Sequence, residues 1–454
     1  MSVLVAGGLV VTPEGARTLD VLVEEGRVTG VSAPRAAEAE RLIDATGCVV
    51  LPGGVDPHTH LLADVAAGTR SALHGGTTTT LSFTAPRPGE RPAEALARAR
   101  DELLPEAVVD VGLHASIWEP ERLGLEDLVE LRALGATGVK LFLAYGELGM
   151  MASDRRLYET LRDSATLGLP VLVHCENGGA VEALVEEYLA AGRREARYFA
   201  DTRPAEVEEE AVHRTLALAS LAGAPVYLVH LSTAGALGLV RARREAGEPV
   251  TAESCTHHLA LDARLYERAD AARFLTAPPL RSGAHVEALW DAVRDGTLDT
   301  VGSDHAQARY QPEPRSPGDF TGIPYGLPGV EARLPLLLSL GRERGLPFER
   351  IVELASAGPS RAFGLYPRKG AITPGADADL VVWDPEAEWT IEPGTLHDGL
   401  EDTPYAGMRV RGRVRSVLLR GEPVLEDGGI AGAPQGRYVR APATNEPVPL
   451  AGPT

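Results

Sequence analysis

Eight times between residues 52 and 365, a short apolar run gives way to a longer segment with helical spacing. No other feature of the chain constrains its fold as much. The strand candidates are Gly54–His60, Thr77–Phe83, Val108–Ser116, Gly138–Leu143, Pro170–Cys175, Pro225–Leu231, Pro249–Ser254 and Asp299–Asp304. Several are almost continuously apolar, as parallel strands covered on both faces are. Between them lie stretches rich in Ala, Leu, Glu and Arg whose apolar residues recur at helical intervals: Pro92–Leu104, Leu125–Leu134, Arg155–Leu167, Ala180–Ala191 and Glu206–Leu221. Eight such units predict an α/β chain closed into a (β/α)8 barrel. The alternative is an open doubly wound sheet, which would carry a Gly-rich turn after its first strand; none is present.

The two ends of the chain read differently. Val3–Val5, Leu9–Val11, Leu19–Glu24 and Val28–Val31 are short strand-like runs broken by Gly and Pro, the first two reading as strand, turn, strand. Leu380–Trp383, Val410–Arg413 and Val417–Leu419 are similar. Two β-rich flanks predict one small β-sandwich domain built from both termini, residues 1–51 with 371–430. The barrel, residues 52–370, interrupts it. Residues 431–454 belong to a Pro-, Ala- and Gly-rich stretch that reads as an extended C-terminal tail.

A charge balance of 44 basic against 64 acidic residues, net −20, argues against nucleic acid or anionic lipid as a partner. No run reaches the roughly 18 apolar residues of a membrane span, and MSVLVAGGLVV lacks the basic start of a signal peptide. Cys48, Cys175 and Cys255 are too few and too scattered for a disulfide framework. A cytoplasmic protein acting on a small molecule is expected.

Barrel enzymes carry their chemistry at the C-terminal ends of the strands. The first strand ends in His58-Thr59-His60, and strand alternation puts both imidazoles on one face, able to reach one ion. The fourth strand carries Lys140, the fifth ends in His174, the sixth in His230 and the eighth in Asp304. Taken singly, each has a plainer explanation: a packed histidine, a lysine paired to a carboxylate, an aspartate capping the next helix. Six such groups from five strands, converging on one mouth, point to a metal centre. Lysine is itself informative here, because 42 of the 44 basic residues are arginine and only Lys140 and Lys369 are not. Desolvation lowers the pKa of a lysine amine, and the neutral amine can add carbon dioxide to form an anionic carbamate able to bridge two cations; a guanidinium stays charged and cannot. Lys369, in YPRKGAITPG, reads as a surface charge.

The stretches LPGGVDPHTH, GGTTT, KLFLAYGE, VHCENG, RPAEVEEEAVHR, PVYLVHLST, PPLR, DGTLDTVGSDH, GLPGVEARLPLL, FGLYPRKGAITPGADADLVVWDP and PYAGMRVRG span nearly the whole chain. In order and length they resemble the cyclic-amide hydrolases of the amidohydrolase superfamily, most closely the D-hydantoinase/dihydropyrimidinase branch. The resemblance implies hydrolysis of a ring amide in a hydantoin or dihydropyrimidine, giving an N-carbamoyl amino acid. It implies two divalent ions, usually zinc. His58, His60 and Asp304 would hold the first, His174 and His230 the second, and carbamylated Lys140 would bridge them, with a shared hydroxide as nucleophile. Asp304 would act as general base and then acid, and Tyr145 would stabilise the oxyanion. A homo-oligomer, tetramer or dimer, is also implied.

Four departures bear on the substrate. The loop that the branch carries after H-T-H is shortened, so HTHLLADVAAGTRSALHGG reaches its helix almost at once. Ala277 stands for the family's Ser before Pro-Pro-Leu-Arg, and Tyr325 for the Asn before Gly-Leu-Pro-Gly; both positions contact substrate in the family. SCTHHL resembles the allantoinase and dihydroorotase string and brings His257 toward the substrate. Dihydroorotase is disfavoured, because its carboxylate-binding arginine after H-x-H is replaced by Leu61-Leu62-Ala63; Arg309 is a candidate substitute. The alternatives are an allantoinase-like hydrolase and a non-catalytic scaffold relative. Retention of all six ligands and Tyr145 weighs against the scaffold.

Overall fold

Residues 2–34, 38–310, 319–431 and 435–442 are described in the computed structural model of the chain. The N-terminal strand, β1 (Ser2–Thr12), is unbroken. The strand, turn, strand expectation is corrected here: Gly7 takes a left-handed conformation (φ 72°) not to reverse the chain but to insert a bulge between Val5 and Gly8. The freed Gly7 N–H donates to the carboxylate of buried Asp20 at 2.8 Å.

After β1 come β2 (Gly15–Glu24), β3 (Arg27–Ser32), β4 (Arg41–Asp44) and β5 (Val49–Pro52). The eight barrel strands are β6 (Gly54–Thr59), β7 (Thr77–Phe83), β8 (Asp110–Ser116), β9 (Gly138–Phe142), β10 (Val171–His174), β11 (Val226–Leu228), β12 (Val250–Cys255) and β13 (Thr300–Gly302). The chain then returns through β14 (Leu380–Thr390), β15 (Arg409–Leu419), β16 (Glu422–Glu426) and β17 (Gly429–Ile430) to the sheet it left. The two runs at Val410–Arg413 and Val417–Leu419 lie in the single strand β15.

The terminal strands form one hydrogen-bonded sheet in the order β17-β16-β15-β14-β5-β1-β2-β3, with β4 beside β1. Alternation splits its side chains between two cores. Leu380, Val382 and Leu418 pack with Val10, Val21 and Val50, whereas Val381, Trp383, Val417 and Leu419 face the barrel. In the barrel every residue of all eight strands is buried, as strands covered on both faces require. Each strand runs parallel to the next, and β13 meets β6 through a Thr59–His305 bridge in which His60 N–H donates to the His305 carbonyl at 2.8 Å.

The described part of the tail, residues 435–442, lies against the start of β8: Val111 N–H donates to the Arg437 carbonyl and Val439 N–H to the Val111 carbonyl, both at 2.9 Å. Val439 is buried with Leu81, Leu172, Tyr227 and Phe363 inside the barrel. The expected tail beyond residue 442 lies outside the described residues.

Lys369 is not a surface charge. It is 2% exposed, and its Nζ donates to Asp110 and Asp379 at 2.6 Å each and lies 3.0 Å from Asp377. Burial opposes the charged amine, but the three carboxylates outweigh it and hold the pKa above the ordinary lysine value. Asp110 opens barrel strand β8 and Asp379 immediately precedes β14, so this cluster fastens the barrel to the terminal sheet. An ammonium with three donors suits three converging carboxylates; a flat guanidinium does not.

Candidate active site

Five strand ends deliver the candidate ligands to one mouth. His58 comes from β6 and His60 from just beyond it, Lys140 from β9, His174 from β10, His230 from just beyond β11 and Asp304 from just beyond β13. All six line one cavity of about 230 Å³, with Tyr145, Ala277 and Tyr325. His257 does not line it. It is buried beside His258, with ring centroids 4.2 Å apart.

The ring nitrogens fall into two groups. His58 Nε2 and His60 Nε2 lie 3.2 and 3.1 Å from the same oxygen of Asp304, so three donor atoms of H-x-H and D converge on one point. These atoms all lie within 4.8 Å of one another. His174 Nδ1 and His230 Nε2 face each other at 2.9 Å. Imidazole and carboxylate donors at such separations are the ligand chemistry of a divalent cation.

The outward nitrogens are held by carboxylates that the sequence reading did not single out. His58 Nδ1 is 2.7 Å from Glu253 Oε1, and that oxygen also accepts the His230 N–H at 3.0 Å. Glu253 Oε2 accepts from the Tyr227 hydroxyl at 2.7 Å. His174 Nε2 is 2.8 Å from Glu176, whose same oxygen accepts from Arg203 at 2.8 Å. Carboxylates in these positions fix each imidazole's tautomer and aim its free nitrogen into the cavity. Glu176 had one legible signal, its spacing of two from His174. Glu253 had none in its local sequence, and Arg203 only its place at the head of the stretch RPAEVEEEAVHR.

Arg203 is buried beneath the cavity's aromatic wall. Its guanidinium carbon lies 5.9, 5.1 and 5.4 Å from the rings of Tyr145, Phe199 and Tyr325. It thus links the carboxylate that orients His174 to the tyrosine expected to stabilise an oxyanion.

Charge follows these contacts. Burial would keep Glu176 protonated, but Arg203 and His174 reverse that and lower it to about 2. Burial disfavours a charged His58, but Asp304 and Glu253 lift it to about 9. His230 is driven well below the usual imidazole value by burial and by the cations near it, so it stays neutral. Lys140 is 1% exposed, and its Nζ sits 5.1 and 5.3 Å from the rings of Phe83 and Phe142. Burial lowers its pKa to about 8 against the pull of Asp304 and Glu253.

Three candidate residues hold left-handed backbone: Tyr145 (φ 68°), His230 (φ 40°) and Asp304 (φ 48°). Such backbone is uncommon outside glycine and least expected of the three for Tyr, and strain of this kind concentrates at functional sites. Gly302 in β13 makes room for the site, since a Cβ there would meet the Cβ of His58 at 2.9 Å.

The chain matches the amidohydrolase family over residues 49–424. It is 36% identical to a D-hydantoinase of Ralstonia pickettii, the match covering 97% of this chain and 99% of that protein. Among solved structures it superposes on the dihydropyrimidinase of Brevibacillus agri NCHU1002 with a TM-score of 0.91 at 37% identity, covering 97% and 99% of the two chains. A D-hydantoinase (dihydropyrimidinase) from Thermus sp. gives a TM-score of 0.93 at 32% identity, covering 98% and 99%.

Proposed function

The chain belongs to the amidohydrolase family, and from that premise we propose that it opens the ring amide of a cyclic ureide or imide of the hydantoin or dihydropyrimidine type, giving an N-carbamoyl amino acid. The observation that carries this reading is the convergence of His58, His60, Lys140, His174, His230 and Asp304 on a single cavity beside Tyr145.

The donor set fits two divalent cations. His58, His60 and Asp304 would hold one and His174 and His230 the other, with Lys140, as its carbamate, between them. Zinc suits these imidazole and oxygen ligands. When bound, the ions supply Lewis acidity toward the ring carbonyl and make water nucleophilic near neutral pH.

The chain's own groups do the rest. Glu253 and Glu176 hold His58 and His174 in the tautomers that leave Nε2 and Nδ1 free as ligands. Lys140 sits on a strand buried on both faces, where desolvation favours the neutral amine that carbamate formation needs. The Asp304 carboxylate takes a proton from the attacking water and returns it to the leaving ring nitrogen. Burial keeps the Tyr145 phenol protonated, its pKa well above the ordinary value, so it donates a hydrogen bond to the oxygen where negative charge develops. Ala277 and Tyr325 line the cavity where the ring would lie; His257, buried outside that lining, would not touch the ring. The division into residues 1–51 with 371–430, 52–370 and 431–454 belongs to the same reading, as does a cytoplasmic homo-oligomer. Among the described residues no helix is long and apolar enough to cross a membrane.

The test is ring opening by zinc-loaded protein in bicarbonate, with hydantoin, dihydrouracil, allantoin and dihydroorotate compared. Turnover of hydantoin or dihydrouracil is expected. Turnover of allantoin alone would move the assignment to the allantoinase-like alternative, and silence with two ions bound would refute the reading.

A further inference from the structure

Arg309 lines the cavity five residues past Asp304 and takes part in no ion pair among the described residues. The neighbouring arginines are committed: Arg203 to Glu176, Arg281 to Glu208 and Arg273 to Asp402. Arg309 ends a short turn that is fixed at both ends. The His305 ring is 2.8 Å from Gln307 Oε1, and the Arg309 N–H donates to the Ala306 carbonyl at 2.9 Å. Its stem lies against Gly326, where an added Cβ would meet Arg309 Cβ at 3.3 Å and Cδ at 3.5 Å. Gly326 is also held at φ 143°, a conformation that only glycine adopts freely. A Cβ at 326 would also meet Ala306 Cβ at 3.0 Å, so glycine there leaves room for both the turn and the Arg309 stem.

The cavity's lining also includes the apolar side chains Leu62, Ala63, Trp118, Leu148 and Met150, with the uncharged polar Thr84, Ser116 and Thr276. The shortened segment after His60 contributes the first two and no charge. A substituent leaving the ring thus meets a largely apolar surface on which Arg309 is the one guanidinium, without an ion pair among the described residues. The only other arginine or lysine among the described residues lining the cavity is Lys140, which sits among the candidate ligands.

We propose that Arg309 is a specificity-determining residue that selects cyclic ureides whose ring substituent ends in a carboxylate on a short apolar stem. This rests on the ring-opening reading above and names the substrate class of that same site. The guanidinium presents a planar pair of N–H donors, the geometry that a carboxylate accepts bidentately. The apolar lining takes the methylenes, which neither the anion nor water would occupy favourably.

The experiment compares hydantoin carrying a 5-carboxyethyl group with its near-isosteric 5-carbamoylethyl amide, on zinc-loaded full-length protein, reading the ratio of kcat/KM for acid over amide. The expected ratio is about 10-fold or more in favour of the acid, carried mainly in KM and shrinking as salt is raised. In Arg309→Met the ratio falls to about 1; in Arg309→Glu it inverts; in Arg309→Lys part of it survives. Because each ratio is taken within one variant, a general loss of activity does not mimic the result. Equal turnover of acid and amide by the unsubstituted protein, or an acid preference retained in Arg309→Met, overturns the assignment of Arg309 while leaving ring opening intact. Failure to open either ring or hydantoin itself removes the reaction reading and this one with it.

Discussion

Replacing Lys369 by Met isolates the cluster that joins the barrel to the terminal sheet. The consequence can be worked carboxylate by carboxylate. Asp110 keeps an ion pair with Arg420, and Asp377 keeps one with Arg27 at 2.8 Å. Asp379, buried at 3% exposure, keeps the Arg420 backbone N–H at 2.8 Å but no side-chain cation. The variant therefore strands one buried carboxylate, a change that costs about 3–5 kcal/mol. Unfolding entropy of about 2.1 cal/mol/K per residue over 454 residues makes each degree worth about 0.95 kcal/mol if the chain melts as a unit. Tm should thus fall by about 3–5 °C near pH 8. Asp379 already has its pKa raised, by burial first. A raised carboxyl contributes stability below its unfolded value, about 3.8, and loses it as pH rises through the folded value. The deficit of the variant should therefore shrink as melts are repeated at lower pH. Lys369→Arg restores the charge but not the shape, and should melt between the two. Unchanged Tm in Lys369→Met, or a deficit identical at acid and alkaline pH, would refute the electrostatic argument.

Tyr145→Phe should lower kcat by about 10²-fold or more with little change in KM, measured on whichever ring is opened, because the phenol acts where charge develops; an unchanged kcat would return Tyr145 to a packing role. Arg203→Met leaves Glu176 buried with only His174, so it should cost about 3–5 kcal/mol in denaturant unfolding. Arg203→Lys should recover only part of this, since an ammonium cannot both pair with Glu176 and lie along three rings; wild-type stability in Arg203→Met would contradict the arrangement. His74 stacks on His397 with centroids 3.3 Å apart, and burial, then the charge of His397, lowers it to about 4 from 6.5. A base whose pKa is lowered in the folded state contributes stability above its unfolded value and loses it as pH falls toward the folded one. Melts should therefore show wild type losing stability relative to His74→Leu as pH falls from 6.5 to about 4; parallel curves would remove the effect.

The barrel was legible because its signal is local and repeated: each strand is a short apolar run, and its covering helix follows at once. The candidate ligands were legible because topology puts strand ends together, so H-x-H, Lys140, His174, His230 and Asp304 could be placed on one mouth from their positions alone. The scarcity of lysine was a sounder signal than the use made of it. It marked Lys140, and it equally marked Lys369, whose burial was hidden because Asp110 lies 259 residues away in sequence. Glu253, and the role of Arg203 at the head of RPAEVEEEAVHR, were illegible for a related reason. A buried carboxylate and a solvated one have the same letter, and only long-range pairing separates them. The left-handed backbone at Tyr145, His230 and Asp304 left no trace, since glycine or asparagine usually marks such positions. Gly7 misled because one residue type serves both a turn and a bulge.

The most direct test of the two-ion account is a metal titration of stripped protein in bicarbonate, following zinc content and ring opening together, beside Lys140→Ala. The account predicts that activity rises until two ions are bound per chain, and that Lys140→Ala fails to hold the second ion and loses ring opening. Full activity at one ion per chain, or wild-type metal content and turnover in Lys140→Ala, would contradict it.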